Sequence, residues 1–311
     1  MPAAKIKYQV IFLVGATASG KTALAINLAR KLQAEIICSD SMQVYRGMDK
    51  ITSAPPLSLR KKISHHLFGI ISPEKEYNVS CFYRDALKKI KALSARGKRA
   101  LFVGGTGLYL SILLDGIFQA KAENKALRRR LFRQAQKSGS SFLHKKLSKV
   151  DPQAAKKIHP HDAKRIIRAL EVFALTGKAI SEWQKIRHGL IDLYSLRVFC
   201  LNVPREELYA RINARVEKMF QHGVVREVKI LLKSKLGKTA AYAIGIREIK
   251  DYLDGKCDLA FAKDLIKRNT RRYAKRQLTW FRRDLRIQWI DVGAKKSPEA
   301  IARKIIKALE A

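Results

Sequence analysis

Residues Gly15 to Thr22 read Gly-Ala-Thr-Ala-Ser-Gly-Lys-Thr, a complete G-x-x-x-x-G-K-[ST] spacing. Such a loop turns successive backbone N–H groups inward around a polyphosphate, Lys21 adds a point charge, and the Thr22 hydroxyl is placed to hold Mg²⁺. The predicted phosphate cradle is therefore Gly15, Ala16, Thr17, Ala18, Ser19, Gly20, Lys21 and Thr22, with Thr22 as the metal ligand. ATP, GTP and an organic diphosphate present similar oxygens to such amides, so the loop by itself does not choose among them.

A carboxylate follows the next apolar run. In Cys38-Ser39-Asp40-Ser41-Met42-Gln43, Asp40 falls on the rim where the loop holds its ligand, which makes it the leading general-base candidate. Coordinating Mg²⁺ through water and capping the next helix are the other roles open to it. The third apolar run, Leu101-Phe102-Val103, leads into Gly104-Gly105-Thr106-Gly107 instead of the acidic residue of a nucleotide hydrolase. That argues against a hydrolytic motor. The glycines permit close backbone approach by a ligand, or a plain tight turn into a helix.

Arg211 and Arg215 lie four apart beside the apolar line Leu208, Ile212, Val216 and Met219. They form either a diphosphate-reaching face or a solvated one, and spacing does not separate the two arginines. Arg268, Arg272, Lys275, Arg276, Arg282 and Arg283 accompany Tyr273, Trp280 and Phe281 on a long helical stretch, where phosphate tracking competes with core anchoring by the aromatics. His65-His66 has no third ligand at useful spacing and reads as structural.

The elements that must position these groups alternate. Apolar runs at Tyr8 to Val14, Ala34 to Cys38, Ala100 to Val103, Arg197 to Val203 and Ile287 to Val292 predict strands, the first three of them inner and parallel. Leu24, Ala25, Leu28, Ala29 and Leu32 repeat at helical spacing directly after the loop, and another helix is predicted around Phe82 to Ala95. The fold class is α/β: a P-loop NTPase-like parallel sheet flanked by helices, with an inserted all-helical subdomain. The expected boundaries are residues 1–117 for the first part of the core, 118–193 for the insertion, and 194–311 for the second part with its basic helices. Within the insertion, Asp151-Pro152 and Asp162 read as helix starts, Gly177 as a stop, and Ser181-x-x-Gln184 as a capping box.

With 311 residues and 47% hydrophobic content, the chain can bury a large core. Its 64 Lys and Arg against 26 Asp and Glu give a net charge of +38, which an ordinary small-molecule kinase does not need and which suits a polyanionic partner. Cys38, Cys81, Cys200 and Cys257 lie far apart, suggesting neither a disulfide framework nor a zinc site, and a reducing cytoplasm fits. No stretch reads as a membrane span or signal segment, and a monomer is expected.

Five stretches, taken in order, resemble one family: Gly15 to Thr22, Ser39-Asp-Ser-Met-Gln-Val-Tyr-Arg-Gly-Met-Asp49, Val103-Gly-Gly-Thr-Gly-Leu-Tyr109, Arg165-Ile-Ile-Arg-Ala-Leu-Glu-Val172 and Tyr273-Ala-Lys-Arg-Gln-Leu-Thr-Trp-Phe281. The family is that of the bacterial-type tRNA dimethylallyltransferases, or tRNA isopentenyltransferases, and the matches run from about residue 10 to 285. The resemblance implies transfer of a dimethylallyl group from dimethylallyl diphosphate to N6 of adenosine 37 in the anticodon stem-loop of tRNA, releasing diphosphate, with Mg²⁺ as cofactor. It implies a catalytic set of Asp40, Thr22 and Arg215, with the loop as diphosphate cradle. It also implies tRNA contacts at Asp40, Ser41, Met42, Gln43, Thr106, Arg128, Lys164, Arg165, Ile166, Ile167, Arg168, Gly245 and Arg247. The insertion corresponds to the family's anticodon-binding domain.

Two departures stand out. The family stretch Met-Asp-Ile-Gly-Thr-Ala-Lys-Pro appears as Met48-Asp-Lys-Ile-Thr-Ser-Ala-Pro55, losing a glycine and a lysine, and Ile246 stands where a tyrosine is common. A P-loop small-molecule or nucleotide kinase and a non-catalytic RNA-binding protein are the competing readings.

Overall fold

Val10 to Gly15 shows no polar alternation, as expected of a strand covered on both faces, and forms β1 (Val10–Gly15), buried at every position. A computed structural model describes residues 9–118, 124–293 and 297–310. In it β1 is joined by β2 (Ala34–Cys38), β3 (His65–His66), β4 (Arg99–Gly104), β5 (Leu196–Asn202) and β6 (Ile287–Asp291). They form one sheet in the order β3-β2-β4-β1-β5-β6, with every neighbouring pair parallel. Phe12 on β1 pairs in register with Phe102 on β4, and their rings stack at 4.9 Å.

The five predicted strands appear within a residue or two of their expected limits, although Tyr8 lies outside the described residues. β3 was not predicted. It has two polar residues, too few to show a period, and tertiary contacts hold it: it pairs with β2, and His66 Nε2 lies 2.7 Å from Glu35 Oε2. The pair is structural, as read from the sequence, though His65 also lines the cavity described below.

From β1 the chain crosses to β2 on one side, and from β4 it crosses to β5 on the other. The C-terminal ends of β1 and β4 therefore flank a topological switch point, where parallel sheets bind ligands. The first crossover uses the helix Lys21–Leu32, which buries Leu24, Ala25, Ile26, Leu28, Ala29 and Leu32. A fully buried leucine contributes about 2 kcal/mol, several times an exposed side-chain pair, so this apolar stripe fixes the helix on the sheet.

The chain divides into two compact units, Met1–Leu113 with Leu193–Ala311, and Leu114–Asp192. The second is all-helical among its described residues and packs Leu143, Leu147, Ile166, Ile167 and Val172. Its caps follow the sequence in two of three cases. Asp151 accepts from Ala154 N–H at 2.9 Å ahead of the helix Pro152–Lys157, and Asp162 accepts from Arg165 N–H at 3.2 Å ahead of Ala163–Thr176, which stops at left-handed Gly177. The predicted capping box is a correction: the helix Ile180–Lys185 begins after Ala179, so Ser181 lies inside it. The Ser181 N–H donates instead to Asp151 Oδ2 at 2.9 Å, because that buried carboxylate has a second oxygen to satisfy.

Candidate active site

β1 ends in a loop built to receive an anion. Ala18 and Gly20 take positive φ, +62° and +91°, which turns neighbouring N–H groups inward. Gly20 precedes the helix Lys21–Leu32 without a side-chain cap, and the first turn carries no acid. The orphan N–H groups and the positive end of the dipole thus face outward. Lys21 Nζ folds back to donate to Ala16 O at 2.7 Å and Gly15 O at 3.0 Å. Burial, and then the neighbouring Arg215 charge, push Lys21 down to about 8, against the opposing pull of Asp40.

Two long-range partners hold Thr17. Its N–H donates to Gln277 Oε1 at 2.9 Å, and its hydroxyl accepts from Arg215 Nη1 at 2.9 Å. The Thr17 amide is therefore engaged by protein, in contrast to the expectation that it faces phosphate. Gln277 Nε2 donates onward to Gly105 O at 2.8 Å, so one buried amide joins the phosphate loop to the Gly-Gly-Thr turn. Gln277 was missed in the sequence. Its signal was helical spacing: Tyr273 and Gln277 stand four apart on the helix Leu259–Phe281 and line the same cavity.

After β2, Ser39 stays paired to the sheet through its N–H to Val103 O at 2.8 Å, and Asp40 then turns out. Asp40 Oδ1 accepts from Met42 N–H at 2.9 Å, and Ser41 N–H donates to Thr106 Oγ1 at 3.1 Å. The turn after β4 must approach this segment closely. A Cβ on Gly104 would lie 2.0 Å from Ser39 O, so close approach explains the glycine better than a generic turn. The Thr106 hydroxyl positions the Asp40 segment and does not line the cavity.

Arg211 and Arg215 both line the cavity beside the phosphate loop, and they are held differently. Arg211 is paired with Glu207 on its own helix, Arg205–Gln221. Arg215 is instead held by neutral oxygens: Nε donates to Ser53 Oγ at 2.7 Å, Nη1 to Thr17 Oγ1, and Nη2 to Thr52 O at 3.1 Å. Among the described residues it has no carboxylate ion pair, and burial lowers its pKa while Asp40 opposes the shift.

Thr17, Ala18, Ser19, Gly20, Lys21, Thr22, Asp40, Ser41, Met42, Gln43 and Arg215 all line one cavity of about 750 Å³ within the first unit. Gly15 and Ala16 lie beneath it as buried support. Gly245 and Arg247 are outside its lining. Gly245 N–H donates to Glu248 Oε2 at 2.8 Å at the start of the helix Ile246–Leu253, and Arg247 is exposed. The remaining expected RNA contacts belong to the helical unit. Lys164 and Arg165 are exposed there, while Arg128 and Arg168 bond the buried Glu171 at 2.8 and 3.0 Å. Ile166 and Ile167 depart from the expectation: they are core residues, 0% and 1% exposed, whose side chains pack inside the helical unit.

No helix among the described residues is long and apolar enough to cross a membrane, and no cluster of three or more His, Cys, Asp or Glu suited to a metal occurs among them. A Mg²⁺ held by one hydroxyl and substrate phosphates needs no such cluster, and the exposed Thr22 hydroxyl fits that type of site.

Residues 43–284 match the IPP transferase family, and residues 8–62 match the isopentenyl transferase family. A tRNA dimethylallyltransferase of Carboxydothermus hydrogenoformans is 47% identical over 300 residues, covering 96% of each chain. One of Geobacillus kaustophilus is 44% identical over 286 residues, 91% of this chain and 90% of the relative. Among solved structures, a tRNA isopentenylpyrophosphate transferase of Bacillus halodurans superposes with a TM-score of 0.72 at 38% identity, covering 98% of this chain and 97% of the other. A eukaryotic dimethylallyltransferase acting on tRNA gives a TM-score of 0.82 at 31% identity, covering 96% and 77%. An anion cradle, a carboxylate and an unpaired arginine in one cavity, on a chain alike over nearly its whole length, leave one assignment: the chain belongs to the IPP transferase family.

Proposed function

We propose that the chain transfers a dimethylallyl group from dimethylallyl diphosphate to N6 of adenosine 37 in the tRNA anticodon stem-loop, releasing diphosphate. The observation that carries this reading is the single cavity shared by Asp40 and the phosphate loop with Lys21 and Arg215. An exocyclic adenine amine is a weak nucleophile, so the step needs a proton acceptor on one reactant and charge neutralisation on the other. The N6 lone pair forms the new C–N bond to the allylic carbon as the C–O bond breaks. Its proton passes to the Asp40 carboxylate, and the electron pair leaves with the diphosphate. The loop amides, Lys21 and Arg215 hold that departing charge.

Thr22 would hold Mg²⁺, which supplies further neutralisation of phosphate oxygens. Ser41, Met42 and Gln43 line the cavity beside Asp40 and would meet the adenosine once it leaves the anticodon-loop stack. The exposed Lys164, Arg165 and Arg247 would contact the RNA backbone, the partner that a charge of +38 suits.

The test is incubation of the purified protein with Mg²⁺, labelled dimethylallyl diphosphate and an anticodon stem-loop carrying adenosine at position 37, followed by nucleoside mass analysis. A prenylated adenosine is the expected product. Tight stem-loop binding without product would favour the non-catalytic reading, and ATP consumption the kinase.

A further inference from the structure

Ser53 stands at φ +47°, a left-handed conformation uncommon for residues other than glycine. Its surroundings fix it there. Ser53 N–H donates to Lys50 O at 3.0 Å and Ala54 N–H to Asp49 O at 2.8 Å, closing the segment on itself. From the helix Val224–Leu231, the Glu227 carboxylate accepts from Lys50 N–H at 2.9 Å and Ile51 N–H at 2.8 Å. Gln43 Nε2 donates to Thr52 O at 3.2 Å, the carbonyl that also accepts from Arg215 Nη2. Backbone strain held this firmly next to a ligand cavity marks a functional constraint. Its consequence is that the Ser53 hydroxyl is presented to Arg215 Nε at 2.7 Å.

We propose that Ser53 is a positioning residue, which fixes the Arg215 side chain so that its terminal nitrogens are aimed beside Thr17 before diphosphate arrives; this rests on Arg215 being a diphosphate ligand. A free arginine side chain loses substantial rotamer entropy when it closes on an anion, and acceptors placed at Nε and Nη2 remove that loss in advance.

Two variants test this, with inorganic diphosphate as the calorimetric probe and steady-state transfer as the second readout. Ser53→Ala removes the hydroxyl and keeps the strained backbone; Ser53→Gly removes both. Each is expected to weaken diphosphate binding and raise KM for dimethylallyl diphosphate about tenfold, the effect of one hydrogen bond to a charged group. KM for the stem-loop should not change, and Ser53→Gly should melt no lower than the parent protein. Unchanged diphosphate affinity in both variants overturns the assignment, as does an equal rise in both KM values, which would mean general distortion of the loop. A parent protein that neither binds diphosphate nor prenylates the stem-loop would instead strike the reading of the cavity itself.

Discussion

Arg215, half-buried in the α/β unit, and Glu171, buried in the helical unit, are charged groups satisfied in opposite ways. Glu171, whose side chain is 0% exposed, is bonded by Arg128 and Arg168 and accepts from Asn124 N–H at 3.0 Å. Burial alone would raise its pKa, yet these partners hold it below the ordinary value. Among the described residues Arg215 bonds only hydroxyls and a carbonyl, which orient a cation without neutralising it. A charge cancelled within the fold serves the fold, and one oriented but left uncancelled is available to a ligand. The same contrast separates Arg215 from Arg211, which has Glu207 beside it.

The largest expected effect lies at the cavity's own carboxylate. Asp40→Asn should lower kcat by about 10²–10⁴, the usual worth of a general base, while stem-loop affinity measured by filter binding stays within about twofold. An equal loss of binding would make Asp40 an RNA-anchoring group.

Arg215→Met tests the uncancelled charge directly. Transfer should fall by about 10²–10³, comparable to losing one preorganised donor to a developing anion. The thermal midpoint should hold or rise, because a half-buried cation without a carboxylate partner gives way to an apolar side chain of similar length. Arg211→Met should cost far less activity. A reversed ranking of the two arginines would break the comparison.

Glu171→Gln should do the opposite of Arg215→Met. Removing the shared carboxylate costs about 2 kcal/mol in denaturant unfolding, under the range for fully buried pairs because the arginines keep about a third of their surface in water, and activity per folded molecule should persist. Since its folded pKa is depressed, this contribution is complete above the ordinary value of 4.5 and is lost as pH falls through the lower folded value. A parent–variant stability difference that shrinks in acid would confirm the sign.

The smallest effect is expected at Lys21. Standing near 8, it is cationic at neutral pH and discharges as pH rises, so affinity for diphosphate should decline between pH 7 and 9. Calorimetry on Lys21→Arg, whose charge persists, should show a shallower decline. Equal slopes would mean that Lys21 does not titrate in this interval.

What could be read from the chain was local or periodic. Gly15 to Thr22, the apolar strands β1, β2, β4, β5 and β6, and the caps at Asp151 and Asp162 each state their geometry within a few residues, because apolar period and turn chemistry act over that range. The parallel sheet with flanking helices followed from that alternation. β3 could not be read, since two histidines have no period of their own and depend on β2 as a partner. The capping box at Ser181 misled because Asp151, 30 residues earlier, claims its N–H.

The sequence alone therefore determined which residue types were on hand for anion binding and proton transfer, and the sheet that would carry them. Tertiary structure decided how they were deployed. It brought Gln277 across 260 positions to the Thr17 amide, and Arg215 across 162 positions to Ser53. It paired Arg211 with Glu207 and held Arg215 by neutral oxygens, and it turned Ile166 and Ile167 into core. The physical reason is that a hydrogen bond or an ion pair depends on which atoms meet in space, and long-range packing chooses those atoms without leaving a local pattern in the chain.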